Sequence, residues 1–418
     1  MSFDDVRMKG FSKNMKVQQA IELATTKFDL FQCEIRSLKD KPIQNYVLRE
    51  DIYAKRSVPP FDRSAVDGFA LKAEDTFSAS ETNPLLLKVL GTINIGYSTD
   101  LKVEKGTAIQ VPTGGILPEG ADAVIMVEDT NKLEDNYIEV TSVLHPRKNV
   151  SAKGEDVKQE QLMFQTGHKF RSVDRGFMLS AGITEVQVTK TPSIAIIVTG
   201  DELVEPWEDV PDGKIPETNS VNLFDLCKDE RWKPTKVGIV KDEIDNLKKT
   251  IEKAVNEYDV VLINAGTSVG KKDFAPVILS ELGDIVFHGL AMRPGGPVLC
   301  ANVNNKIVFG IPGFPTATII AFRFIIRPII SALMGLQEKG ANRYVPATIS
   351  RNVGSKIGRM DFLRVKLEKR IDGNYSAVPI QIGGSGILKN IVDADGFIII
   401  PELSEGLKEG DKVEVQLW

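Results

Sequence analysis

The sequence predicts a multidomain protein of the α/β plus β class, built around a central, doubly wound and mostly parallel α/β domain. Residues 193–335 alternate between continuous apolar runs and helical stretches. Residues 85–143 alternate between short strands and glycine turns, and extended segments return after residue 335. These patterns predict the central domain, an inserted β-rich domain and a C-terminal β-barrel-like domain. A chain of 418 residues is also too long for one ordinary core.

The strands of the central domain are predicted from apolar runs at residues 194–198, 237–240 and 260–263. Apolar residues at helical spacing predict helices between them, at residues 221–231 and 243–257. Near-continuous apolar strands separated by helices are typical of a parallel sheet that is covered by helices on both faces.

Outside the central domain, the same periodicities predict further elements. They are an opening helix at 16–30, an extended segment at 48–55, strands at 92–95, 137–140 and 185–188, a turn-rich segment at 147–167, a helix at 175–181, and C-terminal strands at 362–367, 397–401 and 412–415.

Composition narrows the function classes. A hydrophobic content of 42% with 26% charged residues describes a soluble globular protein, and a net charge of −5 argues against nucleic acid as the main partner. Three cysteines without a CxxC motif and three histidines without paired spacing disfavour a disulfide scaffold and a His-ligated metal.

The N-terminal segment contains no long apolar run, and Arg323, Arg327 and Pro328 interrupt the run at 319–334, which indicates a buried helix. We therefore expect a cytoplasmic protein without a membrane span.

Acidic residues follow each predicted strand of the central sheet. Asp201 and Glu202 follow the first strand, Asp242 follows the second, and Asp273 follows the third. Any one of them can be a solvated or helix-capping residue. Because ligands of open parallel sheets bind beyond the carboxyl ends of the strands, their recurrence predicts a shared cation site. We expect Asp242 and Asp273, with Glu202 nearby, to bind Mg²⁺.

Two loops and a helix start predict an anion pocket at the same edge. Gly266, Ser268 and Gly270 lie in a strand-to-helix loop whose backbone N–H groups can receive a phosphate, although a tight turn is the alternative. This loop lacks the Gly-Lys-Ser/Thr ending of a triphosphate-binding loop, which disfavours a kinase or ATPase. Arg293 in the stiff loop 291–297 can hold an oxyanion, and Pro312 precedes a helix that is expected to begin near Pro315.

Residues 59–70 form a segment that is framed by two prolines and a glycine and carries two carboxylates. Alone, it can be an ordinary Pro/Asp/Gly turn. It is followed in order by three further motifs, and the four read PPFDRSAVDGFA (59–70), VTGDEL (198–203), NAGTSVG (264–270) and IPGFP (311–315). In this order they resemble the molybdopterin molybdenumtransferase family (MoeA and the E domain of gephyrin), and the resemblance covers almost the whole chain.

The resemblance implies a subunit of four parts with a MogA-like central domain. The expected parts are a discontinuous N-terminal domain (1–58 and 145–190), an inserted β-rich domain (59–144), the central molybdopterin-binding domain (191–336) and the C-terminal domain (337–418). It also implies a homodimer, with the active cleft between the central domain of one subunit and the motif loops of its partner.

The resemblance further implies that molybdate replaces the adenylate of adenylylated molybdopterin, which yields the molybdenum cofactor and AMP with the help of Mg²⁺ or Zn²⁺. Tungstate is an alternative oxyanion, and the molybdopterin adenylyltransferase is an expected partner. The family's functional carboxylates fall on Asp67, Asp156, Glu202, Asp242 and Asp273, and another cleft motif places Thr113. Its oxyanion contacts fall on Arg293, Arg364 and Ser385.

The chain departs from the family pattern at three positions. Gly296 stands where many members have lysine, Phe314 stands where asparagine is usual, and Asn264 begins a segment that is usually Ser-Gly-Gly. The loss of one charge-assisted contact costs about 1.5–3 kcal/mol, so the first two changes weaken anion binding.

Two alternatives remain open: a molybdopterin-binding scaffold that has lost the chemistry, and a nucleotide-processing hydrolase that releases AMP without consuming an oxyanion.

Overall fold

A computed structural model describes residues 15–265, 274–337, 343–380 and 386–418. The chain divides into two compact units. The first comprises residues up to 34, residues 45–49 and all residues from 188 onward, and the second comprises residues 35–44 and 50–187. Gly266, Ser268, Gly270, Asp273 and Ser385, which the sequence analysis selected, lie outside the described residues.

From residue 17 to residue 189, one long helix precedes a series of mostly short strands. The elements are α1 (Val17–Lys27), β1 (Cys33–Ser37), β2 (Ile52–Tyr53), β3 (Arg63–Ser64), β4 (Gly68–Leu71), β5 (Leu85–Thr92), β6 (Thr107–Val111), β7 (Ala123–Met126), β8 (Thr130–Lys132), β9 (Tyr137–Val140), β10 (Val150–Ser151), β11 (Leu162–Phe164), α2 (Asp174–Ser180) and β12 (Glu185–Thr189). The predicted helices at 16–30 and 175–181 and the strands at 137–140 and 185–188 are confirmed.

The second unit contains a six-stranded sheet in the order β7-β4-β6-β5-β9-β8. Side chains from one face of this sheet, including Phe69, Ile125 and Ile138, form a core whose members are almost inaccessible to solvent. The strand predicted at 92–95 is wrong in its bounds, since β5 already ends at Thr92. The chain turns there because Tyr97 donates its N–H to the carbonyl of Asn94 and Gly96 adopts a φ of 84°.

The central domain lies in the first unit and alternates strands with helices. Its elements are β13 (Ser193–Thr199), β14 (Leu203–Val204), β15 (Ile215–Pro216), α3 (Asn219–Asp229), β16 (Lys233–Val240), α4 (Ile244–Glu257), β17 (Val260–Ala265), α5 (Ala275–Leu282), β18 (Asp284–His288), β19 (Met292–Arg293), β20 (Leu299–Val303), β21 (Lys306–Pro312), α6 (Pro315–Ala321) and α7 (Arg327–Leu333).

The six-stranded sheet of this domain has the order β16-β13-β17-β21-β20-β18. The first four strands run parallel, β20 runs antiparallel to β21, and β18 runs antiparallel to β20. Alternate residues of β13 and β17 join different cores. Ile196 and Leu262 pack with α1, α3, α6 and α7, whereas Ile197 and Ile263 pack with α4 and α5. The predicted sheet with helices on both faces is confirmed.

A nearly continuous helix follows β21. Residues of α6 and α7 are joined by a π-helical stretch at Phe322–Ile326, and Pro328 lies at the start of α7. Because proline has no N–H to donate into the preceding turn, it accounts for the widened turn. Pro315–Leu333 is long and apolar enough to cross a membrane, but 72% of it is buried inside the protein, as expected for a core helix.

The C-terminal elements are β22 (Tyr344–Ile349), β23 (Val353–Gly354), β24 (Met360–Lys369), β25 (Tyr375–Pro379), α8 (Lys389–Val392), β26 (Gly396–Ile400), β27 (Gly406–Leu407) and β28 (Lys412–Leu417). The strands β24, β25, β22, β28 and β26 follow one another around a closed barrel, because β26 also pairs with β24. Its core includes Val365, Ile398 and Val415. The short strand β19 pairs in parallel with β24, so the loop that carries Arg293 is attached to the barrel strand that carries Arg364.

We predict that Gly68→Ala destabilises the second unit. A Cβ atom at this position would lie 1.9 Å from the carbonyl oxygen of Ile125, so β4 and β7 would have to separate. The expected cost is about 1–3 kcal/mol, measured as a lower unfolding temperature in calorimetry. The matched control is Gly176→Ala, since no atom lies within 4 Å of the new methyl group in α2. Equal unfolding temperatures for both variants would contradict the prediction.

Candidate active site

A cavity of about 1010 Å³ lies in the first unit, at the carboxyl ends of β13, β17 and β21 and beside the barrel strand β24. Thr199, Asn264 and Pro312, which stand at or next to the ends of these three strands, line it. Five residues that the sequence analysis selected also line it: Glu202, Arg293, Pro312, Pro315 and Arg364. The cavity therefore lies where the sequence predicted ligand binding.

Two arginines, Arg293 and Arg364, bring positive charge to the cavity wall, which also contains the acidic residues Glu202 and Glu217. Arg364 is only 4% exposed, and its Nε has no hydrogen-bond partner among the described residues. Burial and the positive charge of Arg293 lower the pKa of Arg364 from its ordinary value. An arginine remains charged under these conditions, so a bound anion would relieve both the desolvation and the repulsion.

Arg359, a third arginine in the cavity wall, is already paired. Its Nε lies 2.9 Å from Oδ1 of Asp361, and its Nη2 donates to Oδ2 of the same carboxylate at 3.2 Å. The hydroxyl of Ser355 also donates to Asp361 Oδ2, at 2.9 Å. The carboxylate of Asp361 is thus committed to Arg359, which leaves the charges of Arg293 and Arg364 for a ligand.

Two of the carboxylates at the strand ends are linked by hydrogen bonds. Oδ1 of Asp242 accepts a hydrogen bond from the hydroxyl of Thr199, and the backbone N–H of Asp242 donates to Oδ1 of Asp201 at 3.2 Å. Glu202 lies in the cavity wall. Within the described ranges, no three acidic, histidine or cysteine side chains form a group that could hold a metal ion. Asp273, the second predicted metal ligand, lies outside these ranges.

A pair of asparagines was missed by the sequence analysis. Asn219, the first residue of α3, donates from Nδ2 to Oδ1 of Asn264 at 2.8 Å and to the carbonyl of Gly313 at 2.7 Å. Both asparagines line the cavity. The unusual asparagine at position 264 was the only feature of the sequence that pointed to this pair. The contact itself could not be predicted from local patterns, because it joins residues 45 positions apart.

In the second unit, the structure brings together Asp67 and Thr113. Oδ1 of Asp67 accepts the backbone N–H of Thr113 at 2.7 Å and its hydroxyl at 3.1 Å. Asp67 precedes Gly68, whose backbone is held against β7. The exposed carboxylate of Asp67 is therefore oriented by hydrogen bonds on a firmly anchored loop. Asp156 lies elsewhere in this unit, where its backbone N–H donates to the carbonyl of Val58 at 3.0 Å.

Asp62 is a carboxylate of the same motif that the sequence analysis did not select. Its Oδ2 accepts a hydrogen bond from Nη1 of Arg147 at 2.6 Å, and its Oδ1 accepts the N–H of Lys153 at 2.7 Å. These contacts lower the pKa of Asp62, with the hydrogen bond from Arg147 as the largest cause. Asp62 thus attaches the segment 59–68 to the segment 147–153.

Comparison with known proteins places the whole chain in one family. The MoeA N-terminal region (domain I and II) matches residues 15–182, the probable molybdopterin binding domain matches residues 195–332, and the MoeA C-terminal region (domain IV) matches residues 346–418. The molybdopterin molybdenumtransferase of Bacillus subtilis is 31% identical over 374 residues, which cover 88% of this chain and 86% of the relative. The corresponding enzyme of Staphylococcus epidermidis is 32% identical over 376 residues, with 89% and 88% covered.

Solved structures agree. The crystal structure of the molybdopterin biosynthesis MoeA protein from Pyrococcus horikoshii OT3 superposes with a TM-score of 0.83 at 33% identity, and covers 97% of this chain and 100% of that one. The fold and the matching domains define an enzyme of molybdenum cofactor biosynthesis. More specifically, the chain belongs to the MoeA family of molybdopterin molybdenumtransferases.

We predict that Asp62→Asn weakens the second unit in a pH-dependent way. A carboxyl whose pKa is lowered on folding adds stability above its unfolded pKa and loses it as the pH falls through the lower folded value. Because the side chain is 36% exposed, solvent screens the ion pair, and we expect a loss of less than about 1 kcal/mol at pH 7. The unfolding temperatures of parent and variant should converge near pH 3, whereas the exposed-loop control Asp135→Asn should match the parent throughout. A constant difference from pH 7 to pH 3 would contradict the assignment.

Proposed function

We propose that this protein inserts molybdate into adenylylated molybdopterin and releases AMP. The observation that carries this proposal is the pair Arg293 and Arg364 in the cavity wall. Arg364 is only 4% exposed and lies within the field of the like charge of Arg293, and its Nε has no hydrogen-bond partner among the described residues. Such a site favours an oxyanion or a phosphate group, which accepts paired hydrogen bonds from guanidinium groups.

The size of the cavity supports the same substrate. Its volume of about 1010 Å³ is at the upper end of the range for small-molecule pockets, which is about 300–1,000 Å³. A pterin joined to a nucleotide through a pyrophosphate needs a site of this size. Pro312, Gly313 and Phe314 line the cavity directly before α6 begins at Pro315.

We propose a divalent cation as the metal, with Mg²⁺ favoured over Zn²⁺. The residues proposed to hold it are Asp242, Asp273 and Glu202, all oxygen donors, which suit Mg²⁺. None of the described residues that line the cavity is a histidine or a cysteine, the ligands that zinc prefers. Bound there with substrate oxygens and water, the ion would neutralise charge on the phosphoanhydride and stabilise the departing AMP.

We propose that Arg293 and Arg364, with Ser385, bind the oxyanion beside the pterin dithiolene, and that the loop of Gly266, Ser268 and Gly270 binds phosphate. Asp67, Thr113 and Asp156 would act from the motif loops of a second subunit in a homodimer. This assembly rests on the family resemblance. We place the reaction in the cytoplasm, where the molybdopterin adenylyltransferase would supply the substrate.

A scaffold that binds molybdopterin without turnover is a second candidate, favoured by two features of the cavity. Gly296 supplies no charge where a lysine is usual, and Phe314 presents a ring that is 58% exposed. Against it, the buried charge of Arg364 beside the positive charge of Arg293 is costly to keep in a protein that binds no oxyanion.

The deciding experiment incubates the purified protein with adenylylated molybdopterin, Mg²⁺ and either molybdate or tungstate. AMP and metallated pterin are then measured together. We expect equal amounts of both products, dependence on the added oxyanion, and loss of activity with a chelator that Mg²⁺ restores. AMP without metallated pterin would indicate a hydrolase, and tight binding of the pterin without either product would indicate a scaffold.

We predict that Arg364→Gln raises the KM for molybdate by a factor of about 10 to 150, as expected from the loss of a charge-assisted contact. The substitution keeps a long polar side chain, so the barrel should stay folded. The control is Lys366→Gln, which removes an exposed positive charge from the same strand and should leave the KM unchanged. If both variants show the parent's KM, Arg364 does not bind the oxyanion.

We predict that Asp67→Asn lowers kcat strongly, by about 100-fold or more if the carboxylate acts as a general acid or base. The amide keeps the size and the acceptor oxygen that binds Thr113, so the unfolding temperature should change little. Asp135→Asn, at an exposed site of the same unit, is the control. A large loss of stability with unchanged activity per folded molecule would show that Asp67 is structural.

A further inference from the structure

We infer that Oδ1 of Asn219 is a fixed hydrogen-bond acceptor that recognises the exocyclic amino group of the pterin ring, and that Asn264 is a positioning residue that helps to fix its direction. This inference rests on the proposed function, since it assumes that the cavity binds the pterin substrate. It deepens that function by assigning the part of the cavity that recognises the ring.

The direction of the network begins at Thr318. Its hydroxyl oxygen lies 2.7 Å from the carbonyl of Pro312 and 3.1 Å from the carbonyl of Phe314. Carbonyl oxygens only accept, so the hydroxyl must donate its single proton to one of them. Its lone pair is then available to Nδ2 of Asn264, which lies 3.1 Å away and also donates to the carbonyl of Pro312 at 3.0 Å.

These contacts set the orientation of both amides. With Nδ2 of Asn264 committed to Pro312 and Thr318, its Oδ1 faces Asn219 and accepts from Asn219 Nδ2 at 2.8 Å. The second proton of Asn219 Nδ2 goes to the carbonyl of Gly313 at 2.7 Å. A flip of the Asn219 amide would bring its oxygen against two other acceptors, so the observed orientation is the one that the network permits.

The remaining atom, Oδ1 of Asn219, has no donor among the described residues, although the residue lines the cavity and is only 7% exposed. An unsatisfied buried acceptor costs about 1–3 kcal/mol, and such groups in folded proteins call for a partner. The phosphoanhydride and molybdate cannot provide it, because they carry no hydrogen-bond donor at neutral pH and are attracted to Arg293 and Arg364. A ring that carries N–H groups and an exocyclic amino group, as a pterin does, provides the missing donor.

The departure at residue 264 is what makes this arrangement possible. A serine, which is usual there in the family, has one hydroxyl group and a shorter side chain. It cannot donate two hydrogen bonds towards Pro312 and Thr318 while it accepts one from Asn219. With serine at this position, the carbonyl of Gly313 would be the remaining partner that is certain to hold Nδ2 of Asn219, so the amide would be fixed less firmly.

The test compares a simple pterin with the matching lumazine, in which a carbonyl oxygen replaces the exocyclic amino group. Competition for the site is followed by ligand-observed NMR on the full chain, and binding of molybdopterin and of AMP is measured by calorimetry. We expect the parent to prefer pterin over lumazine by about 10-fold or more, as a site that hydrogen-bonds a donor rejects an analogue without it. In Asn219→Ala the ratio should fall towards one. In Asn264→Ser it should fall part of the way, because the carbonyl of Gly313 still binds Nδ2 of Asn219.

Asn222→Ala, a change of the same type one turn further along α3, is the matched control and should keep the parent's ratio. If Asn219→Ala does not fold, Asn264→Ser carries the test alone, because it changes no atom of Asn219.

A ratio near one in the parent, or an unchanged ratio in Asn264→Ser, would overturn the inference and leave the proposed function intact. Weaker binding of AMP with unaffected pterin binding would show that the donor belongs to the nucleotide. A parent that binds neither molybdopterin nor pterin would overturn the proposed function as well.

Discussion

The parallel pairing of β13, β17 and β21 is the constraint on which the site depends. In the observed register Val198 is opposite Asn264, and Asn264 is opposite Ile311. All three strands therefore end at one edge, where backbone groups and the first side chains beyond the strands converge on one cavity. Both faces of these strands are buried, so their side chains pack in the hydrophobic core. Polar groups that bind a ligand therefore lie at the carboxyl ends of the strands.

This constraint explains what the sequence could predict. Runs such as 260–263 are apolar because both faces of the strand are buried, so the strands, their helices and the edge with the acidic residues were all predictable. The bounds of β5 were not, since a turn at Gly96 outweighed the β-branched residues at 92–95. The bond between Asn219 and Asn264 was also hidden, because local periodicity carries no information on contacts across 45 residues. Arg364 came from the family resemblance, and only its burial beside Arg293 gives the choice a physical reason.

Charge balance within the cavity connects the fold to the chemistry. Asp361 neutralises Arg359, which keeps a third guanidinium from adding to the repulsion at Arg364. The chain has Gly296 where the family resemblance implies a lysine, so Arg293 and Arg364 are the arginines of the described wall that have no ion pair with Asp361. Glu202 and Glu217 also line the cavity, and the carboxylate of Glu217 accepts hydrogen bonds from Ser220. Fewer positive charges weaken the attraction for an oxyanion, yet they also lower the energy needed to keep the cavity empty between turnovers.

The cavity thus offers two kinds of polar group to one elongated substrate. The guanidinium groups of Arg293 and Arg364 only donate hydrogen bonds, whereas the free oxygen of Asn219 only accepts them. A phosphate or oxyanion meets a favourable partner at the first site and an unfavourable one at the second, and a ring edge with N–H groups meets the reverse. In the proposed function, binding in the inverted direction would place the phosphate or oxyanion beside the oxygen of Asn219 and the ring N–H groups beside the guanidinium of Arg364. Both Asn219 and Arg364 are buried, so the penalty on unpaired polar groups favours one orientation of the proposed substrate.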